Sequence, residues 1–192
     1  MSIVLDRYDA LEEQQDLHWF KQVFVLSQTF GITSVILIAL WMGNYDGGYG
    51  WSDQPDQMFH YHPLLMSIGL LFVFGEAILI YRVFRYERKM VTKLAHAILH
   101  TIVFTLIVIA LHAVFTSHQL NRVPNLYSLH SWVGLSVVLL FSMQYLCGLV
   151  TFLFPGLSLP TKQWYLPIHQ VFGVVIFVAA SATALMGISE RA

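Results

Sequence analysis

The chain has 192 residues, 57% of them hydrophobic and 11% charged, with a formal net charge of −1 and one cysteine. So much apolar surface excludes an ordinary soluble domain and points to lipid. The near-neutral charge gives no reason to expect a nucleic-acid partner, and the lone Cys147 excludes an intrachain disulfide or a cysteine-based zinc site.

Residues 1–20 carry Asp6, Asp9, Glu12, Glu13 and Asp16 among scattered leucines. They do not resemble the basic, then apolar start of a cleaved signal peptide, and read as a short cytosolic tail before an uncleaved first span. Apolar runs follow at 23–42, 63–81, 94–115, 132–154 and 168–188, each near the ~20 residues that cross about 30 Å of hydrocarbon. The runs are continuous and do not alternate, so they predict helices and not barrel strands. The expected fold is an all-α membrane protein, an up-down bundle of five transmembrane helices forming a single domain over 1–192. Lys and Arg set its orientation. Arg7, Lys21, Arg82, Arg85, Arg88, Lys89, Lys93 and Lys162 fall in loops that share a side, against Arg122 and Arg191 on the other, which predicts a cytosolic N-terminus.

The first run has no ionisable group and reads as peripheral packing; the loop at 43–58, rich in Gly, Asp and aromatics, reads as turns. The second opens with His60-Tyr61-His62-Pro63. Proline fits the first turn of a helix, so His62 is expected near the helix start, with His60 pointing elsewhere as a hydrated or capping residue. Glu76, deep in the same run, is expected to be protonated or bonded to a neighbouring helix. In the third, Lys89, Lys93, His96 and His100 follow at intervals of 4, 3 and 4 and share one helical stripe, a ready site for an anion beneath a buried imidazole. His112 lies about 24 Å further along the helix, and His118 follows in the next loop. Ser128 is the expected N-cap of the fourth helix. His130 is followed four residues later by Gly134, and in the fifth helix His169, two residues after Pro167, is followed four later by Gly173. A glycine one turn below an imidazole leaves a gap that a flat macrocycle can enter.

With neighbouring helices antiparallel, His62 and His130 reach one face while His96 and His169 reach the other, roughly 20 Å away. Two imidazoles at each face could hold two haem irons. Bis-imidazole ligation leaves no open coordination position, which favours outer-sphere electron transfer. The alternatives are a histidine-based metal or proton transporter, with His96 and His100 as an i, i+4 ligand pair, and a structural protein with packing histidines.

The stretch LNRVPNLYSLHSWVG, the HP of the second run, K-x-x-x-K-x-x-H of the third and LPIH-x-x-x-G-x-x-IF-x-x-x-x-ATALMG of the fifth resemble the cytochrome b561 family, within its ascorbate-dependent animal and plant branch. The resemblance implies a six-helix, two-haem electron carrier, usually a homodimer, with a four-helix haem-binding core that corresponds here to 59–190; this chain has five of the six spans. It implies that two b-type haems are held by His96 and His169 on the cytosolic side and by His62 and His130 on the other. Lys89, Lys93 and Lys162 match the cationic positions near cytosolic ascorbate, with Arg82 a propionate partner. His118, Asn125 and Tyr127 match the site of the acceptor, monodehydroascorbate or a ferric chelate. The membrane implied is the plasma membrane or that of a secretory or endo-lysosomal vesicle.

Overall fold

A computed structural model describes residues 19–154 and 157–191. Five of its helices are long and apolar enough to cross a membrane: α1 (Phe20–Tyr45), α2 (Pro55–Val83), α3 (Lys89–Leu120), α4 (Leu129–Leu153) and α5 (Leu159–Arg191). Among the described residues every regular element is helical. The expected tail at 1–20 lies, up to residue 18, outside the described residues.

Local chemistry sets the ends. Pro55 occupies the first turn of α2, where its missing N–H costs nothing. Ser128 closes a capping box on α4: its Oγ accepts from the Ser131 amide at 3.2 Å, while its own amide donates to Ser131 Oγ at 3.1 Å. Ser158 accepts from the Thr161 amide in the first turn of α5.

Two prolines lie within the spans. Pro63 lies inside α2, eight residues past its start, and Pro167 lies inside α5. A proline removes one N–H and crowds the preceding turn, and α2 answers with a break in regularity at His60, upstream of Pro63. Ser67 Oγ then donates to the Pro63 carbonyl at 2.7 Å, and the helix widens into a π segment over Ser67–Val73, a form that clusters at functional sites. Pro63 thus falls in the first turn of the helical stretch that resumes at Tyr61, as expected, whereas Pro167 marks no helix start but a weakened turn beside His169.

The α2 helix packs along α3, and α4 along α5, both antiparallel. These two hairpins meet chiefly at mid-membrane, where the π segment of α2 lies on α5. There Leu70, Phe74, Val103, Ile107, Val137, Val138, Phe141, Ile176 and Ala180 form one buried cluster. Outward-facing leucines, valines and isoleucines are exposed along every helix, as lipid contact requires. The stretch Phe20–Leu40 of α1 has no buried residue and packs on the 61–73 stretch of α2. A Cβ on Gly31 would meet the Phe72 ring at 2.7 Å, so the glycine permits close approach, and one turn away Gln28 Nε2 donates to Glu76 Oε1 at 2.5 Å. Glu76 is therefore bonded to a neighbouring helix, one of the two outcomes its position predicts.

Candidate functional site

The four histidines singled out by position come together in twos. The His62 and His130 ring centres lie 6.2 Å apart at one end of the bundle, and those of His96 and His169 lie 6.2 Å apart at the basic end. Hydrogen bonds orient the rings. His96 Nδ1 donates to the Ala77 carbonyl at 2.8 Å and His130 Nδ1 to the Thr183 carbonyl at 2.9 Å, while the His62 ring lies near the Ala110 backbone with its buried Nδ1 unpartnered. A carbonyl only accepts, so it fixes the proton on Nδ1 and leaves the lone pair on Nε2. The same contacts measure the spacing. His62 and Ala77 are 15 residues apart on α2, His96 and Ala110 14 apart on α3, and His169 and Thr183 14 apart on α5. At 1.5 Å per residue, all three put the pairs about 21–22 Å apart along the bundle.

At the basic end, Lys93 Nζ donates to the Phe152 carbonyl at 3.2 Å, and the Phe152 ring centre stands 5.3 Å from that of His169. Lys89 is exposed one turn before Lys93, and Lys162 is half-buried in the first turn of α5. Arg82, exposed, holds its guanidinium 6.0 Å from the Phe20 ring. At the opposite end His118 Nδ1 bonds Asn125 Oδ1 at 3.0 Å, and the His118 ring lies 6.5 Å from that of the exposed Tyr127. Those three residues are thus one cluster. Phe59 joins it to the histidine pair: its ring stacks on His118 at 6.2 Å and lies 6.2 Å from His62. His60, two residues before His62, is not hydrated; it stands at the N-cap position of the Tyr61–Met66 stretch, but its side chain makes no capping bond. It is 1% exposed, with Nδ1 2.5 Å from the Gly48 carbonyl and Nε2 3.2 Å from Asp46, which Arg191 also grips. The 46–54 loop folds back over the helix end, which buries the ring.

The family described as eukaryotic cytochrome b561 matches residues 61–192. The chain belongs to the eukaryotic cytochrome b561 family. A Caenorhabditis elegans homolog of transmembrane ascorbate-dependent reductase CYB561 is 46% identical over the whole chain and 76% of its own length. The pig transmembrane ascorbate-dependent reductase CYB561 is 45% identical over 85% of this chain, and the match spans 64% of the pig protein. Transmembrane ascorbate ferrireductase 1 of Arabidopsis thaliana is 35% identical over 88% of this chain and 71% of its own length.

Cytochromes b561 imply b-type haem, and both histidine pairs of this chain fit its iron. Two imidazoles that bind one metal from opposite sides, at about 2 Å each, place their ring centres roughly 6 Å apart, and carbonyl partners on Nδ1 are the usual support of such ligands. Among the described residues no group of three or more His, Cys, Asp or Glu converges to hold a metal ion by itself. Gly134 and Gly173 line the α4–α5 seam. A Cβ on Gly134 would meet Thr183 at 3.3 Å, and one on Gly173 would meet Gln144 at 3.8 Å. The glycines against the rings are two others. A Cβ on Gly148 of α4 would meet His169 Cε1 at 3.0 Å, and one on Gly187 of α5 would meet His130 Cε1 at 2.8 Å. Each follows the histidine of its own helix by 18 residues, five whole turns on the same face. That repeat was readable in the sequence; the carbonyls of Ala77 and Thr183 were not.

Proposed function

We propose that this cytochrome b561 carries electrons across the membrane, from cytosolic ascorbate through two bis-histidine b haems to a non-cytosolic acceptor, monodehydroascorbate or a ferric chelate. The observation that carries the reading is the doubled imidazole pair: equal 6.2 Å separations at opposite ends of one bundle. The names of the relatives, ascorbate-dependent reductase and ascorbate ferrireductase, supply the donor. Haem held by two imidazoles would supply a one-electron couple suited to electron transfer and not to oxygen binding.

The chain's own residues provide the rest. His96 with His169, and His62 with His130, would hold the two haem irons, and at His96 and His130 the Nδ1 carbonyl bonds leave the Nε2 lone pair available for ligation. Lys89, Lys93 and Lys162 give the basic end the positive charge that attracts and bonds an ascorbate monoanion, and Arg82 pairs with a haem propionate. Because these cations belong to the Lys- and Arg-rich side, that end faces the cytosol. At the other end His118, Asn125 and Tyr127 receive the acceptor, with Phe59 between His118 and the His62 ligand. Gly134 and Gly173 let α4 and α5 close on one another beside the haem sites. The chain acts as a homodimer in the plasma membrane or that of a secretory or endo-lysosomal vesicle.

The visible spectrum and haem content of the purified protein test this. Two b haems per chain are expected, with His62→Ala losing the non-cytosolic one and His169→Ala the cytosolic one. Haem-free protein, or variants that lose stability and keep both haems, overturns the assignment.

A further inference from the structure

Two of the four proposed ligands, His96 and His130, donate from Nδ1 to a backbone carbonyl on a neighbouring helix, Ala77 or Thr183. His62 and His169 do not, the Nδ1 of each being buried without a hydrogen-bond partner, and of these two the one at the basic end is His169. It is also the ligand that follows a proline inside its own helix. Something else must fix its position, because a ligand free to shift cannot hold an iron in one geometry.

That fixing group is on α4. Gln144 Nε2 donates to the main-chain carbonyl of His169 at 2.6 Å, and its Oε1 accepts from the Tyr165 hydroxyl at 3.3 Å. The orientation of the amide follows from chemistry: a carbonyl only accepts, so the NH2 must face His169 and the oxygen is left for the phenol. Tyr165 and His169 are one turn apart with Pro167 between them, so the amide brackets the turn that the proline weakens. Gln144 lies 14 residues after His130 on the same face of α4, at the level of the other histidine pair. A half-buried amide at that depth is costly unless bonded, and both of its ends are used.

We propose that Gln144, braced by Tyr165, is the positioning residue of the cytosolic haem site, holding the His169 turn of α5 where the ring itself has no anchor. The proposal rests on the two-haem reading above. Gln144 touches neither haem nor ascorbate; it acts through the ligand. Its removal leaves the His62 and His130 site, about 21 Å away, unchanged.

The test is the redox titration and low-spin electron paramagnetic resonance of Gln144→Leu and Tyr165→Phe beside the wild type, with the signal lost in His169→Ala marking the cytosolic haem. Gln144→Leu is expected to keep the non-cytosolic haem with its potential and g-values intact. The potential and g-values of the cytosolic haem should shift, and reduction by ascorbate should slow about tenfold or more, the usual effect of losing a support of a metal ligand. Tyr165→Phe, which keeps the bond to His169, should shift the same signal in the same direction by less. A cytosolic haem unchanged in Gln144→Leu overturns the proposal, as does an equal shift at both haems, which would mean general loosening. If Gln144→Leu does not assemble, Tyr165→Phe decides, and an unchanged cytosolic haem there overturns it as well. Wild-type protein without haem would instead overturn the underlying reading, this proposal falling with it.

Discussion

A single ammonium illustrates how a side chain can serve the site twice. Lys93 donates to the Phe152 carbonyl and so ties the start of α3 to the end of α4, while its charge stands at the rim over His96 and His169. Charge-assisted hydrogen bonds are worth about 1.5–3 kcal/mol each, or tenfold and upward in affinity. The double variant Lys89→Ala with Lys93→Ala should therefore slow reduction by ascorbate at least tenfold with haem content unchanged, as stopped-flow absorbance will record, and normal kinetics would remove the proposed donor site. At this scale the sequence was most informative about side chains that lipid makes expensive. His62, His96, His130 and His169 stood out because apolar runs hold few ionisable groups. Their carbonyl partners carry no side-chain identity, so Ala77 and Thr183 left no trace. Gln144 was overlooked because one amide in a long apolar run has no period to announce it.

Helices were legible in number and kind, since continuous hydropathy over a bilayer's width has one structural answer. Their ends were less so. Pro63 does lie in the first turn of a helical stretch, after the break at His60, whereas Pro167 was expected at a helix start and α5 runs on through it, as happens in membrane spans. The attachment of α1 depended on chemistry visible at one end only: Glu76 asked for a partner, and nothing in the sequence singled out Gln28 as the donor. Gln28→Leu leaves the Glu76 carboxyl unmatched and should destabilise the protein by about 1–3 kcal/mol. The double variant with Glu76→Leu should recover most of that loss, because it leaves no polar group stranded. Thermal unfolding in detergent around the double-mutant cycle measures both. Additive losses would show that the two side chains are not coupled.

Taken as a whole, the molecule is two antiparallel hairpins, α2 with α3 and α4 with α5, whose contact is largest where the π segment of α2 lies on α5. Nothing in the sequence fixes that lateral arrangement, because a lipid-facing leucine and a helix-facing one read alike. Its consequence is that every proposed haem takes one ligand from each hairpin: His62 and His130 at one end, His96 and His169 at the other. The cofactors are then the rivets of the assembly, and an unbroken chain through residues 121–127, between α3 and the Ser128 cap of α4, is not needed to keep the hairpins together once they are in place. A chain severed there and expressed as two fragments should reconstitute a stoichiometric complex when haemin is supplied and fall apart when it is withheld, which co-purification through a tag on one fragment will reveal.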